Sequence, residues 1–184
     1  MNFIFKPTEL EGVFLIEPRV FGDRRGHFLE AFREEVFRKE GLLYRFVQDN
    51  ISTSLKGAVR GLHYQKPPHA QAKLLMAING RILDVAVDLR RNSPTYGKHI
   101  CAELSAENRY MIYIPPGFAH GFSVLSDEAT VFYKCSRYYH QPSERGIKWN
   151  DPALDIDWQV EEPIISDKDA GLPILKDLPE EDLF

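Results

Sequence analysis

Residues 73–89 read KLLMAINGRILDVAVDL. Two apolar runs flank Asn79-Gly80, a dipeptide suited to a two-residue β-hairpin because both of its positions accept positive φ. The reading predicts paired strands across that turn, with Ile78 facing Arg81, Met76 facing Leu83, Leu75 facing Asp84 and Lys73 facing Ala86. Side chains alternate between the faces of a strand, so parity sorts the segment into two surfaces. Leu74, Met76, Ile78, Leu83, Val85, Val87 and Leu89 make one apolar face, fit for sheet-to-sheet packing or a subunit interface. Lys73, Leu75, Ala77, Ile82, Asp84, Ala86 and Asp88 make the other. Small residues beside isolated charges suit either the wall of a cavity or an exposed face with a surface ion pair. In this register Lys73 and Asp84 are diagonal neighbours, within reach of a lysine side chain.

Moving outward, VFLIEP, FVQDNIS, AVRGLHYQ, KHICAEL, YMIYIP, GFSVLS and ATVFYKCSRYY are also short, rich in β-branched and aromatic residues, and bounded by Gly, Pro, Asn or Ser. Many closely spaced strands mean an all-β sandwich, jelly roll or barrel. Helix is expected only at 28–42, where Phe28, Phe32, Val36 and Phe37 share a side and Gly41 is the stop, and over 166–175. The 184 residues, with 43% hydrophobic, suit one domain spanning 1–184 and large enough to bury a core. Only the acidic tail at 176–184 reads as dispensable.

The net charge of −4 argues against a nucleic-acid partner or membrane surface, which require a basic footprint. A small anionic ligand needs only a few local arginines. No apolar run approaches the length of a signal peptide or a membrane span, so a cytoplasmic protein is expected. Cys101 and Cys135 lack a CxxC pattern and read as free thiols without a function.

The chemistry-bearing stretch is RGLHYQKPPHAQAKLL (60–75). PPGFAH (115–120), in a chain of short strands, resembles the second motif of the cupins, a family of double-stranded β-barrels of jelly-roll type. The fold expected is therefore an all-β cupin-type jelly roll with a few short peripheral helices. Metal-binding cupins carry two histidines one residue apart, then a glutamate separated by six residues from a turn glycine. Here His63 is followed by Gln65, and Lys73 stands at that spacing from Gly80. An ammonium repels a divalent cation and offers it no lone pair, so no metal site is expected. His69, after Pro67-Pro68, reads as a loop histidine.

Without a metal, His63 is a candidate general base, since an imidazole titrates near neutral pH. Lys73 would stabilise the anion that proton abstraction creates, and a carboxylate would orient the imidazole. Asp84 and Asp169 are both candidates for that partner. Tyr133 in VFYKCSRYY is a candidate proton donor, although a buried tyrosine in a strand commonly serves packing alone.

DRRGHFLEAF (23–32), FVQDNIS (46–52), VRGLHYQ (59–65), QAKLL (71–75), IPPGFAHGFSVLS (114–126), YKCSRYY (133–139) and IKWNDP (147–152) closely resemble the dTDP-4-dehydrorhamnose 3,5-epimerase family, over roughly residues 10–174. The resemblance implies epimerisation at C3 and C5 of a dTDP-linked 4-keto-6-deoxyhexose through enolates, with no cofactor. A single-carbon epimerase on a related dTDP-4-keto sugar, and a metal-dependent or non-catalytic sugar-binding cupin, are the alternatives. Carried over, the resemblance implies His63 as base, Asp169 as its partner, Tyr133 as acid, Lys73 at the enolate oxygen and Asp84 beside Lys73. It implies ligand contacts at Arg25, Glu30, Gln48, Asn50, Arg60, His120, Tyr139, Glu144 and Lys168, with Tyr139 stacking on the base. It further implies a homodimer with an exchanged strand near residues 1–12. Strict alternation puts Arg60 and His63 on opposite faces, so both reach one ligand only if Gly61 permits a bulge or Arg60 serves the other subunit.

Overall fold

The computed structural model describes residues 2–184. In chain order the strands are β1 (Phe3–Pro7), β2 (Phe14–Pro18), β3 (Val20–Asp23), β4 (Gly26–Leu29), β5 (Gln48–Leu55), β6 (Val59–Gln65) and β7 (Lys73–Asn79). They continue as β8 (Arg81–Asp88), β9 (His99–Ser105), β10 (Met111–Ile114), β11 (Phe118–Val124), β12 (Glu128–Cys135) and β13 (Glu144–Gly146). Helices α1 (Glu34–Lys39) and α2 (Asp167–Ala170) are short. One sheet runs β1-β2-β10-β7-β12-β5, a second runs β13-β6-β11-β8-β9, and β3 with β4 forms a separate hairpin. Two antiparallel sheets around a shared interior make the expected jelly roll.

The hairpin predicted at Asn79-Gly80 is a corner instead. β7 is bonded to β10 and β12, whereas β8 is bonded to β11 and β9, so the chain crosses from one sheet to the other at Gly80. Gly80 has φ +69°, and a Cβ there would stand 2.0 Å from the carbonyl oxygen of Glu128. The backbone groups at the corner bond distant partners. Gly80 O accepts from Ala106 N, and Arg81 N donates to Ser126 Oγ. The predicted facing pairs, Lys73 with Ala86 among them, therefore do not exist.

The parity reading survives because the corner preserves alternation. Leu75, Ala77, Ile82 and Ala86 join the interior cluster with Ile112, Phe122 and Val131. Leu74 and Met76 point outward, under Phe3, Phe37 and Leu42. Val85, Val87 and Leu89 point outward on the other sheet, under Leu154, Trp158 and Leu178. The single apolar face read from the sequence is thus two faces with two separate covers.

Helix was expected over 28–42, but α1 occupies only Glu34–Lys39. Residues 26–29 pair with 20–23, leaving Phe28 exposed, while Phe37 is buried as expected. Gly41, at φ +82°, does stop the helix, with Leu42 N returning to Phe37 O. The second expected helix is confined to Asp167–Ala170, because Pro173 holds Leu172 out of the helical region. The acidic tail is not loose: Asp182 is buried against Lys66 and Arg145, and Phe184 packs on Tyr64. No helix among the described residues is long and apolar enough to cross a membrane.

Candidate active site

β6 carries the irregularity on which the site depends. Its register against β11 pairs His120 with His63 but Phe122 with Arg60, so β6 holds one extra residue there. That bulge brings Arg60 and His63 to the same cavity. Gly61 makes it with φ +133°, and a Cβ at Gly61 would lie 2.6 Å from Gly121 Cα. Gly121 is equally constrained, its own Cβ falling 2.6 Å from Arg60 O.

Of the two carboxylates proposed for His63, Asp169 is the partner. Nε2 of His63 donates to Asp169 Oδ1 at 2.7 Å, and Asp169 Oδ2 accepts from Gly61 N at 3.2 Å. Burial would raise the Asp169 carboxyl, but the hydrogen bond and charge of His63 and the Gly61 N–H outweigh it and hold it below the usual range. Ser166 caps α2 by accepting from Asp169 N, which fixes the carboxylate's approach. With Nε2 committed to an ionised carboxylate, Nδ1 carries the imidazole lone pair.

Asp84 serves a different histidine. Its Oδ2 accepts from His120 Nε2 at 2.8 Å, both residues being buried. Burial lowers the His120 pKa despite that carboxylate, with Lys73 and His63 nearby adding to the effect. Asp84 Oδ1 is buried without a hydrogen-bond partner among the described residues. Lys73 has lost much of its hydration, which lowers its pKa, while Cys135, Asp84 and Glu144 pull it back up. Its ammonium makes one long hydrogen bond, 3.4 Å to His63 O. Burial raises the Tyr133 phenol, so the hydroxyl keeps its proton at neutral pH.

These groups sit between two cavities. One, of about 500 Å³, is walled by Leu75, Phe122 and Ile164 and reached by Arg60, His120 and Lys168. The other, of about 330 Å³, is polar and is lined by Gln48, Asn50, Gln65, Tyr139 and Glu144. His63, Lys73 and Tyr133 line both. Seven of the nine ligand contacts implied by the resemblance are therefore split across the two chambers. At the rim Glu144 accepts from Tyr139 Oη at 2.8 Å and pairs with Lys168 at 2.6 Å. Gln48 donates to Asn50 and accepts from Tyr139 N.

Arg25 and Glu30 are not brought to either cavity. Arg25 is exposed on the β3–β4 hairpin and paired with Asp23, and Glu30 bonds Asn2 and Arg33. His69 lies in a loop, as read. Among the described residues no three His, Cys, Asp or Glu side chains converge as a cation would need. The sequence reading missed Ser52, Phe122 and Ser166 as cavity walls, and it missed Cys135, which lines the polar chamber with its thiol 3.7 Å from Asn50 Nδ2. Strand parity from Tyr133 is the signal that reaches Cys135; the others depend on tertiary contact.

A family model described as dTDP-4-dehydrorhamnose 3,5-epimerase matches residues 7–177. The dTDP-4-dehydrorhamnose 3,5-epimerase of Shigella flexneri is 52% identical over 172 residues, 93% of this chain and 94% of that protein. That of Methanothermobacter thermautotrophicus is 50% identical over 181 residues, 97% of each. The fold is similar to a Legionella pneumophila dTDP-6-deoxy-D-glucose-3,5-epimerase solved in complex with dTDP-4-keto-L-rhamnose, with TM-score 0.95 and 44% identity over 98% of this chain and 97% of that one. A match of this extent, on a jelly roll whose His63, Lys73 and Tyr133 share one site, means that the chain belongs to the dTDP-4-dehydrorhamnose 3,5-epimerase family.

Proposed function

We propose that this chain is an isomerase that inverts C3 and C5 of dTDP-4-dehydro-6-deoxy-D-glucose, yielding dTDP-4-dehydro-L-rhamnose for dTDP-L-rhamnose biosynthesis. The observation that carries the reading is that His63, held by Asp169, lines the same two cavities as Lys73 and Tyr133. Both carbons flank the C4 ketone, so loss of either proton gives an enolate. Nδ1 of His63 takes the proton, and Asp169 stabilises the imidazolium that results. Lys73, desolvated and without an ionic partner among the described residues, gains its counter-charge as the enolate oxygen develops, so its attraction is strongest on the way to the intermediate. Tyr133, protonated at neutral pH, returns a proton to the opposite face. The cycle moves protons only and calls for no redox cofactor.

In the same reading Arg60, His120 and Lys168 serve the apolar chamber, and Gln48, Asn50, Tyr139 and Glu144 the polar one. Arg25 and Glu30 contribute from a second copy, since they lie outside both cavities of their own chain. Exposed Ile51, Leu55 and Ile78 on the outward side of the six-stranded sheet support a homodimer. The protein acts in the cytoplasm, and its net negative charge gives it no nucleic-acid role.

Turnover of dTDP-4-keto-6-deoxyglucose in deuterated water tests the proposal. Deuterium at both C3 and C5 is expected. Label at only one carbon identifies a single-carbon epimerase instead.

A further inference from the structure

Gln65 stands where metal-binding cupins carry their second histidine, and the proposed reaction makes no use of it. Its side chain is buried, 5% exposed, and its amide spans two loops. Oε1 accepts from His140 N at 2.6 Å, and Nε2 donates to the carbonyl of His69 at 3.3 Å. Above that bridge the imidazoles of His69 and His140 stack, with centroids 3.8 Å apart and planes 10° from parallel. Elsewhere the loops are laced together: Ala72 and Ser136 exchange hydrogen bonds, Gln71 Nε2 donates to Arg137 O, and Lys66 N donates to Ser143 O. Tyr139 lies within this laced segment, yet it is 52% exposed, and among the described residues it is bonded only through its N–H to Gln48 and its hydroxyl to Glu144. The ring is thus held by these two hydrogen bonds and by the laced segment that carries it rather than by burial.

We infer that Gln65, His69 and His140 form a buckle that fixes the Tyr139 ring where it can stack on a nucleobase. The inference rests on the proposed role of Tyr139 and makes Gln65 and His69 positioning residues for binding the nucleoside diphosphate. Gln65→Glu keeps the acceptor for His140 N but sets a carboxylate oxygen against the His69 carbonyl, so one arm of the bridge is repelled. His69→Ala removes the stack, and His69→Phe restores a flat ring in its place.

Calorimetric titration with dTDP and, separately, with pyrophosphate distinguishes positioning from loss of structure. The dissociation constant for dTDP is expected to rise about three- to ten-fold in Gln65→Glu and in His69→Ala, the worth of one ordinary hydrogen bond or ring contact. It should return to the wild-type value in His69→Phe, and pyrophosphate affinity should stay level throughout. Unchanged dTDP affinity in Gln65→Glu and His69→Ala, with Tyr139→Ala weakened, overturns the buckle and spares the functional reading. Equal losses for dTDP and pyrophosphate reduce it to scaffolding, and an inert Tyr139→Ala sinks both ideas together.

Discussion

Lys73 is the residue on which the chemistry turns, because its desolvated ammonium makes a single long hydrogen bond among the described residues, 3.4 Å to His63 O. Replacing it with methionine removes the charge and keeps the length. Lys73→Met is expected to lower kcat about 10²- to 10³-fold while changing dTDP binding little; an equal loss in both steady-state turnover and dTDP titration would count against the enolate role. His63→Ala should abolish solvent exchange at both carbons, read by deuterium incorporation. Tyr133→Phe should retain exchange of the abstracted proton while losing net inversion. Asp88 shows what a carboxylate does away from the chemistry. It is buried, but bonds from Arg90, Ser93 and Thr95 overcome that burial and bring its pKa down to about 2. A depressed carboxyl stabilises the fold above its unfolded pKa and loses that contribution as pH falls through the folded value. About 2 kcal/mol should therefore disappear between about pH 4 and pH 2, and acid denaturation of Asp88→Asn should lack this component. Most of these residues were legible as types in the sequence. The pairing of Asp169 with His63 came from the family resemblance alone and that of Asp84 with His120 was not read at all, because the partners lie 106 and 36 positions apart in the chain.

At the scale of elements, β6 joins sequence to chemistry through one glycine. Alternation read along VRGLHYQ sends Arg60 and His63 to opposite faces, and only the extra residue at Gly61 returns them to one. Gly61→Ala meets both a positive φ and the Gly121 backbone. It should destabilise the fold by more than about 2 kcal/mol in urea denaturation, and the folded fraction should lose activity through a displaced His63. The corner at Asn79-Gly80 carries the opposite lesson. A short loop with positive φ serves a hairpin and a change of sheet equally well, since the local conformation does not name the ladder partner. β7 took β10 and β12 as partners, and β8 took β9 and β11, so neither paired with the strand across the turn. Helix 28–42 was overestimated for a related reason: the apolar spacing is real, with Phe32, Val36 and Phe37 packed together, but Phe28 belongs to a hairpin and stays exposed.

At the scale of the whole molecule, the tail and the second copy matter most. The tail bonds Lys66 and Arg145 through Asp182; Lys66 follows β6 and Arg145 lies within β13, the strands that hold His63 and Glu144. Removing residues 178–184 strands two cations beside a vacated apolar contact. A loss of at least about 2 kcal/mol in thermal or chemical denaturation is expected. The proposed dimer makes a sharper forecast. If Arg25 serves the neighbouring site, chains of Arg25→Ala and His63→Ala, each inactive alone, should recover about a quarter of wild-type activity after mixing and subunit exchange, because each mixed dimer holds one intact site. No recovery in that assay would confine Arg25 to its own chain. By itself the sequence determined the all-β class, the inward and outward parity of 73–89 and the chemical types at the site, because these follow from local spacing and side-chain chemistry. The tertiary structure alone decided which sheet each strand joins, which histidine Asp84 holds and how β6 bends, because those outcomes depend on distant segments competing for the same hydrogen bonds and the same buried space.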